Sequence, residues 1–413
     1  MNSGGATVLR PFGRTVALHS LGWLVAANVI GVWLGVTLLW PDIGDRLAPL
    51  TFGRWVPLHL DWQLYGWCAL PLVGALLAWC FDVRHPGAGR HAQLALGAWS
   101  LALVLGAVGW LGGTVSGKLF LDWHGWTRPL LPAAMHVLWA LLAAHTWWRW
   151  HELSRAGRWS RLAVMAALLV VPSVLFWAAD RGGHPPVNPD SGGATGASLL
   201  GSTLGIVTIY LLLPALLGLE GKGRRAAFGG TLALSWLVFG VIDRGHASHH
   251  SVAQIAALGV LLAWIPLLPL AWRDWNWPAA TRPWLRAAAV WWALLVLTGW
   301  LTFLPGLSER LKFTHALVAH AHLAMAGLVT SVNAAIVVTL AGRAAPRGVF
   351  AAWQAGCGVF VASMLALGWG ETETAAELYR GEGAAQGWFA LRLAGGVAMA
   401  GASVRWLWGA WRR

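Results

Sequence analysis

Long apolar segments separated by short polar connections cover most of the chain. Each segment is close to the roughly 20 apolar residues that cross a bilayer as a helix. The pattern predicts twelve helices, over residues 16–40, 55–81, 92–114, 129–148, 160–180, 194–219, 226–246, 250–272, 287–306, 313–341, 348–369 and 387–409. No connection between them is long enough to fold alone. The sequence therefore predicts an all-α integral membrane protein with a single membrane domain over residues 1–413.

Composition supports this prediction. The chain is 57% hydrophobic and only 11% charged, whereas soluble proteins are about 25% charged. A large soluble domain, a nucleic-acid-binding module and a secreted disulfide scaffold are therefore excluded. The three cysteines, Cys68, Cys80 and Cys357, all lie within apolar segments, so they predict no disulfide or metal framework.

The basic residues predict an orientation. With twelve helices, 19 of the 29 Lys and Arg residues fall on one side of the membrane and nine on the other. A basic excess marks the cytoplasmic side, so both termini are expected there, in a multi-pass protein of the bacterial inner membrane. The net charge of +13 is then mostly this bias, and no nucleic-acid partner is needed to explain it.

Histidines are unusually frequent in one layer. The predicted topology puts eight of the fifteen in the outer half of the membrane: His59, His136, His246, His249, His250, His315, His320 and His322. Ionisable groups within a membrane are costly and usually functional. A layer of imidazoles at similar depth favours metal or haem ligation over isolated hydrogen bonds between helices.

The pair His320 and His322 is the most specific feature of this layer. Successive helical residues are about 100° apart, so positions i and i+2 point to nearly opposite sides. The two imidazoles are therefore expected to serve two different cofactors. His59, near the outer end of the second helix, is the expected second axial ligand for one of them.

Arg392 is predicted inside the twelfth helix rather than in a connection, about one turn from its outer end. A buried guanidinium requires a counterion, and a haem propionate would supply one at this depth. Glu382 and Asp243 are alternative partners from the protein itself. Asp61, two residues after His59, is expected to hydrogen-bond either to a haem ligand or between helices.

Three segments carry a resemblance to a known family. Residues 52–59 (FGRWVPLH) look like the second helix of the catalytic subunit I of cbb-type haem–copper oxidases. Residues 312–322 (KFTHALVAHAH) resemble its tenth helix, and residues 392–396 (RLAGG) resemble an Arg-x-x-Gly-Gly motif of its twelfth. The resemblance spans the chain and implies a twelve-helix bundle like that of subunit I.

The resemblance also implies cofactors. By it, His59 and His322 are expected to be the axial ligands of a low-spin haem, and His320 the ligand of a second haem, both of the b type. Arg392 is expected to bind a propionate, and Arg54, within the first motif, is a second candidate for that role.

One part of the family pattern is incomplete here. The family binds a copper ion through one histidine on the sixth helix and a pair on the seventh. The segment Gly193–Gly201 contains no histidine, and Ala247 follows His246 where the pair is expected. His249 and His250 remain as candidate ligands of copper or non-haem iron, but they lie about one turn further out. We therefore expect a second haem with no metal beside it.

These observations predict a haem-binding subunit of a respiratory redox complex, resembling cytochrome c oxidase subunit I. It would transfer electrons near the periplasmic face, with a c-type cytochrome or another redox subunit as partner in a hetero-oligomeric complex. The first alternative is an active terminal reductase of oxygen or nitric oxide. The second, from another class, is a haem-handling or export protein that uses the outer tryptophan-rich segment at residues 121–126.

Overall fold

The computed structural model describes residues 11–182, 199–221, 225–242 and 251–412. The chain forms helices at all twelve predicted positions. Their bounds are Gly13–Leu39 (α1), Phe52–Cys80 (α2), Ala88–Leu111 (α3), Gly125–Trp148 (α4), Arg155–Ala178 (α5), Leu199–Leu216 (α6), Arg225–Ile242 (α7), Val252–Arg273 (α8), Ala279–Leu301 (α9), His315–Ala341 (α10), Val349–Glu373 (α11) and Gly383–Trp411 (α12). No β-strand forms within these described ranges.

Ten of these helices are long and apolar enough to cross a membrane. The other two, α6 and α7, are apolar but have 18 residues each within the described part of the chain. The N-terminal end predicted for the sixth helix and the C-terminal end predicted for the seventh lie outside the described residues. The chain is therefore a multi-pass, all-α membrane protein, while the count of twelve spans stays a prediction.

The last three helices and the first pack against one another. α12 packs along both α1 and α11, and α10 packs between α9 and α11. In the most apolar 18-residue stretch of α10, 78% of the residues are buried inside the protein, whereas the corresponding share in α5 is 17%. α10 is therefore surrounded by other helices, and α5 presents most of its surface to the outside.

Two of the spanning helices contain a π-helical segment, Trp62–Cys68 in α2 and Leu323–Val329 in α10. The wider turns leave backbone carbonyls without a regular partner, and such segments often occur at functional sites. Side chains of α10 supply partners: Asn333 Nδ2 donates to the Trp67 carbonyl at 2.8 Å. The Trp67 indole N–H in turn donates to Thr330 Oγ1 at 2.8 Å. These bonds join α2 to α10.

Candidate functional site

His59 and His322 face each other across a cavity within the bundle. Each lies just before a π-helical segment, His59 in α2 and His322 in α10. Both side chains line a cavity of about 310 Å³ between α1, α2, α10, α11 and α12. Their ring centroids are 6.5 Å apart and the ring planes differ by 20°. The bundle thus brings together two imidazoles that are far apart in the chain.

The hydrogen bonds of these two rings determine which nitrogen is available to a metal. His59 Nδ1 donates to the Ala27 carbonyl at 2.9 Å, and His322 Nδ1 donates to the Val318 carbonyl at 2.8 Å. A carbonyl oxygen only accepts, so Nδ1 carries the proton in both rings. Nε2 of each ring therefore keeps its lone pair, which is the arrangement that typically orients a metal-binding histidine.

The spacing of the rings suits a single metal ion between them. Two imidazoles on opposite sides of one ion, with metal–nitrogen bonds of about 2 Å, have ring centroids about 6 Å apart. The observed 6.5 Å is close to that value.

A glycine on α1 makes this position of His59 possible. A Cβ atom at Gly31 would meet His59 Cε1 at 2.6 Å, which is closer than any real contact. The imidazole therefore occupies the space that a larger residue would fill. On the other side, the ring of His322 packs against Phe360 of α11, with centroids 4.3 Å apart.

Arg392 lines the same cavity from α12. Its Nε and Nη1 atoms are buried and have no hydrogen-bond partner among the described residues. Its guanidinium lies 5.4 Å from the centroid of the Phe360 ring. No ion pair joins it to Glu382 within the described chain, and Asp243 lies outside the described residues. The cavity thus contains buried donors suited to an anion.

Arg54 and Asp61 do not line this cavity. The Arg54 guanidinium packs against the backbone of Gly113, in the connection after α3, and its buried Nη1 has no hydrogen-bond partner among the described residues. Asp61 is fully buried and lies near Asp122, in the connection between α3 and α4. No hydrogen bond among the described residues joins Asp61 to His59. Of the two hydrogen bonds considered for Asp61, the one to this histidine therefore does not form.

His320 faces a different cavity, as its spacing from His322 predicts. This second cavity, of about 180 Å³, lies between α6, α8, α9 and α10. The Thr298 hydroxyl donates to the Leu294 carbonyl at 2.7 Å, so its oxygen accepts from His320 Nδ1 at 3.1 Å. Nε2 of His320 therefore also keeps its lone pair. A Cβ atom at Gly299 would lie 3.0 Å from His320 Cε1, so this imidazole too packs closely against a glycine.

Two other histidines of the predicted layer have different surroundings. His315 Nδ1 lies 2.6 Å from Glu371 Oε1, and the His315 backbone N–H donates to Glu371 Oε2 at 2.8 Å. His136 is exposed on α4, and its Nδ1 donates to the Pro132 carbonyl at 2.8 Å. Neither lines the two cavities. His246, His249 and His250 lie outside the described residues.

Sequence reasoning missed Thr298 and Glu371. The helix predicted over 348–369 extends to Glu373, and this longer end places Glu371 beside His315. The available signal for Glu371 was its position, two residues beyond the predicted helix end at residue 369. Thr298 had none, because a threonine in an apolar helix usually bonds only to its own backbone.

A second histidine cluster lies near the opposite end of the bundle. The Asp82 backbone N–H donates to His145 Nδ1 at 3.2 Å, so His145 Nε2 carries the proton and donates to His91 Nδ1 at 3.0 Å. The Gly87 backbone N–H donates to His85 Nδ1 at 3.0 Å. No group of three or more potential ligands among the described residues has a geometry suited to a metal ion.

The outer tryptophan-rich segment is part of the packed structure. Trp123 is fully buried, with its ring centroid 5.0 Å from that of Trp110 and 5.9 Å from that of Tyr65. Asp122 is also buried; burial raises its pKa, while hydrogen bonds from Gly117 and Ser116 oppose the rise. Trp126, the other tryptophan of the segment, is 52% exposed, so the segment offers a single exposed indole.

Comparisons with known proteins add no family assignment. No protein-family model matches the chain, and no curated protein sequence matches it significantly. The case for a function therefore depends on the geometry of the histidines and Arg392.

Proposed function

We propose that the chain is a haem-binding membrane subunit of a respiratory redox complex that carries electrons through two b-type haems. The observation that carries the proposal is the pair His59 and His322. Their rings are nearly parallel, 6.5 Å apart, and each has Nδ1 bonded to a backbone carbonyl. In this proposal these two histidines would hold the iron of one haem.

The surroundings of the pair fit a haem in two further respects. The buried nitrogens of Arg392 have no partner among the described residues, and a propionate carboxylate would pair with them. The cavity wall is mostly apolar, with Val32, Val56, Met325 and Met399 among its residues, which suits the porphyrin faces. A haem with two histidine ligands supplies one-electron transfer without an open coordination position. The chain's own residues bind it, orient it and exclude water from it.

The second haem of the proposal uses His320. Thr298 orients this imidazole, and apart from Thr203 the remaining wall of its cavity consists of aliphatic and aromatic residues. No second histidine among the described residues lines that cavity. In this proposal the second haem has one protein ligand, and no copper or non-haem iron lies beside it. A copper or non-haem iron bound by His246, His249 and His250 would contradict this part of the proposal.

The setting of the proposal follows from the charge distribution. The basic ends of the helices face the cytoplasm, both termini lie there, and the protein belongs to the bacterial inner membrane. The haems then lie in the outer half, where a c-type cytochrome or a partner redox subunit exchanges electrons with them. The proposed bundle resembles subunit I of haem–copper oxidases, within a hetero-oligomeric complex.

A reduced-minus-oxidised spectrum of the purified protein, combined with haem extraction and metal analysis, tests the proposal. We expect two b-type haems per chain, one low-spin, and no stoichiometric copper or additional iron. One copper or one extra iron per two haems, together with oxygen or nitric oxide turnover, would instead identify an active terminal reductase. Protein purified from haem-replete cells without haem would overturn the proposal, and the packing of Trp123 weighs against the export alternative.

A further inference from the structure

An open groove of about 500 Å³ runs along the surface of α1. Its floor extends from Thr15 to Ala26, about 16 Å along the helix axis, and Gln93 of α3 and Trp411 of α12 form its two sides. Every residue that lines the groove is at least partly exposed. Leu94, next to Gln93 on α3, is 56% exposed, as expected of a residue that faces lipid. A ligand can therefore enter the groove from the bilayer.

Polar side chains of α1 and α3 meet in this groove. The Trp23 indole N–H donates to Ser100 Oγ at 3.0 Å, and the same oxygen lies 2.8 Å from His19 Nδ1. Gln93 Nε2 lies 3.3 Å from His19 Nε2. An amide nitrogen only donates, so His19 Nε2 accepts and Nδ1 carries the proton. The groove thus presents an imidazole acceptor beside an amide donor.

The position of His19 favours a ligand over a purely structural role. It lies six residues after the start of α1, about 9 Å into the helix. Ionisable side chains at such positions are costly and usually functional. The contact between His19 Nε2 and the exposed Gln93 is longer than a typical N–H hydrogen bond. A ligand hydroxyl can therefore bind to Nε2 in its place.

The other lining residues define the class of ligand. Among the described residues that line the groove, none is Asp, Glu, Lys or Arg, so a charged headgroup would find no partner there. Trp23 and Trp411 offer flat apolar surfaces. Gly22 keeps the floor open, because a Cβ atom there would meet no atom within 4 Å. These features suit a neutral, flat ring that carries a hydroxyl group and an apolar tail.

We propose that this groove binds an isoprenoid quinol of the membrane. The ring hydroxyl donates to His19 Nε2, and the Gln93 amide donates to the hydroxyl oxygen. The ring lies against the indoles, and the tail follows α1 past Ala26 toward the bilayer centre. The groove shares no lining residue with the cavities of His322 and His320, so binding here does not require the proposed haems.

Binding of tritiated decylubiquinol to the purified full-length chain in lipid nanodiscs, kept reduced under argon, tests the proposal. We expect His19→Leu to weaken the affinity about tenfold, because the hydroxyl loses its acceptor. Gly22→Leu fills the floor of the groove and should abolish saturable binding. The matched control is Gly358→Leu, since Gly358 on α11 has the same open space and does not line the groove. Its affinity should equal that of the wild type.

The oxidised ligand tests the hydrogen bond without a change in the protein. Decylubiquinone has nearly the same shape but cannot donate to His19 Nε2, so the wild type should bind it about tenfold more weakly than the quinol. In His19→Leu the two affinities should be equal. Equal affinities in the wild type would overturn the proposal, and this comparison holds even if His19→Leu does not fold.

Two further results would also contradict a quinol site. Decylbenzene has a ring and the same tail without oxygen atoms, so equal competition by it would identify simple partition of an apolar molecule. Wild-type affinity in Gly22→Leu would place the quinol elsewhere on the protein. Haem content is measured in the same samples. Quinol binding by a chain that lacks haem would support this site while the proposed function fails.

Discussion

The two histidine clusters of this protein use the same side chain in opposite ways. In the pair His59 and His322, each Nδ1 donates to a backbone carbonyl, and both rings line a cavity. In the other cluster, His145 is bonded at both nitrogens, to the Asp82 backbone N–H and to His91. Protonation at Nδ1 leaves Nε2 free for a metal, whereas the bonds of His145 leave it no free lone pair.

The distances between the imidazole rings also differ between the two clusters. The hydrogen-bonded rings of His91 and His145 have centroids 5.2 Å apart, and the rings of His59 and His322 are 6.5 Å apart. The first spacing suits a shared proton and the second suits a larger atom between the rings. A group of histidines in one membrane layer is therefore insufficient to identify ligands; the bonds of the other ring nitrogen decide.

The largest expected effect comes from removing either member of the cavity pair. His59→Ala and His322→Ala should each abolish the low-spin b-type band, because one axial ligand is lost. The control is His136→Ala, since His136 has the same Nδ1–carbonyl bond but is exposed on α4. Difference spectra of the purified variants measure the effect. If both cavity variants keep the band, the ligand assignment is wrong.

The next largest effect concerns the second haem. His320→Ala should lower the haem content from about two to about one per chain, while the band that depends on His322 remains. Haem extraction together with the difference spectrum gives both quantities. Loss of the low-spin band in this variant would mean that the two histidines do not serve separate cofactors.

A smaller effect is expected from the group that orients His320. Thr298→Val removes the acceptor of His320 Nδ1 with little change of shape, and loss of such a partner typically costs 10- to 100-fold in metal affinity. The second haem should therefore dissociate more readily on titration with a haem-binding competitor. Thr302→Val is the matched control, because among the described residues the Thr302 hydroxyl bonds only to the Gly299 carbonyl. Equal haem retention in the two variants would argue against a role for Thr298.

Arg392 should influence the haem potential rather than its presence. A nearby cation disfavours the oxidised, more positive iron. Removing it in Arg392→Leu therefore stabilises the oxidised state, and the midpoint potential falls. For an assumed separation of about 9 Å and an effective dielectric constant of about 20, one unit charge contributes about 2 kcal/mol, or about 80 mV. A redox titration measures the shift, and Arg392→Lys should retain most of the wild-type value. Identical curves for all three proteins would make Arg392 a structural residue.

The smallest effect is expected in the hydrogen-bonded cluster. His91→Ala should leave both haem bands unchanged and lower the stability by about 1–2 kcal/mol, because the buried His145 N–H loses its acceptor. Thermal unfolding in detergent and the difference spectrum together test this. A changed haem spectrum would remove the distinction between the two clusters.

Much of the architecture was accessible from the sequence. Apolar segments predicted helices at all twelve positions, although α6 and α7 are shorter within the described residues than a full span. The separation of His320 from His322 followed from helical periodicity alone, and the two residues do line different cavities. Both predictions depend only on interactions between near neighbours along the chain, which the sequence specifies directly.

The partners of the site residues were not accessible in the same way. Arg54 carries the same charge as Arg392, and both lie in motifs that resemble the same family. Arg54 nevertheless packs against Gly113 and not in the cavity. Glu371 bonds to His315 although nothing in either segment specifies the other. Such contacts depend on how helices rotate and pack, and small residues such as Gly31 decide how closely they approach.

The sequence by itself thus determined that the chain is helical, that it crosses a membrane several times, and that His320 and His322 point apart. Hydrophobicity and helical geometry are local properties, so they can be read from one segment at a time. Only the tertiary structure decided that His322 faces His59 across a cavity, beside buried nitrogens of Arg392 that have no partner among the described residues. That arrangement requires α2, α10 and α12 to pack at one depth and rotation, and no single segment of the chain contains that information.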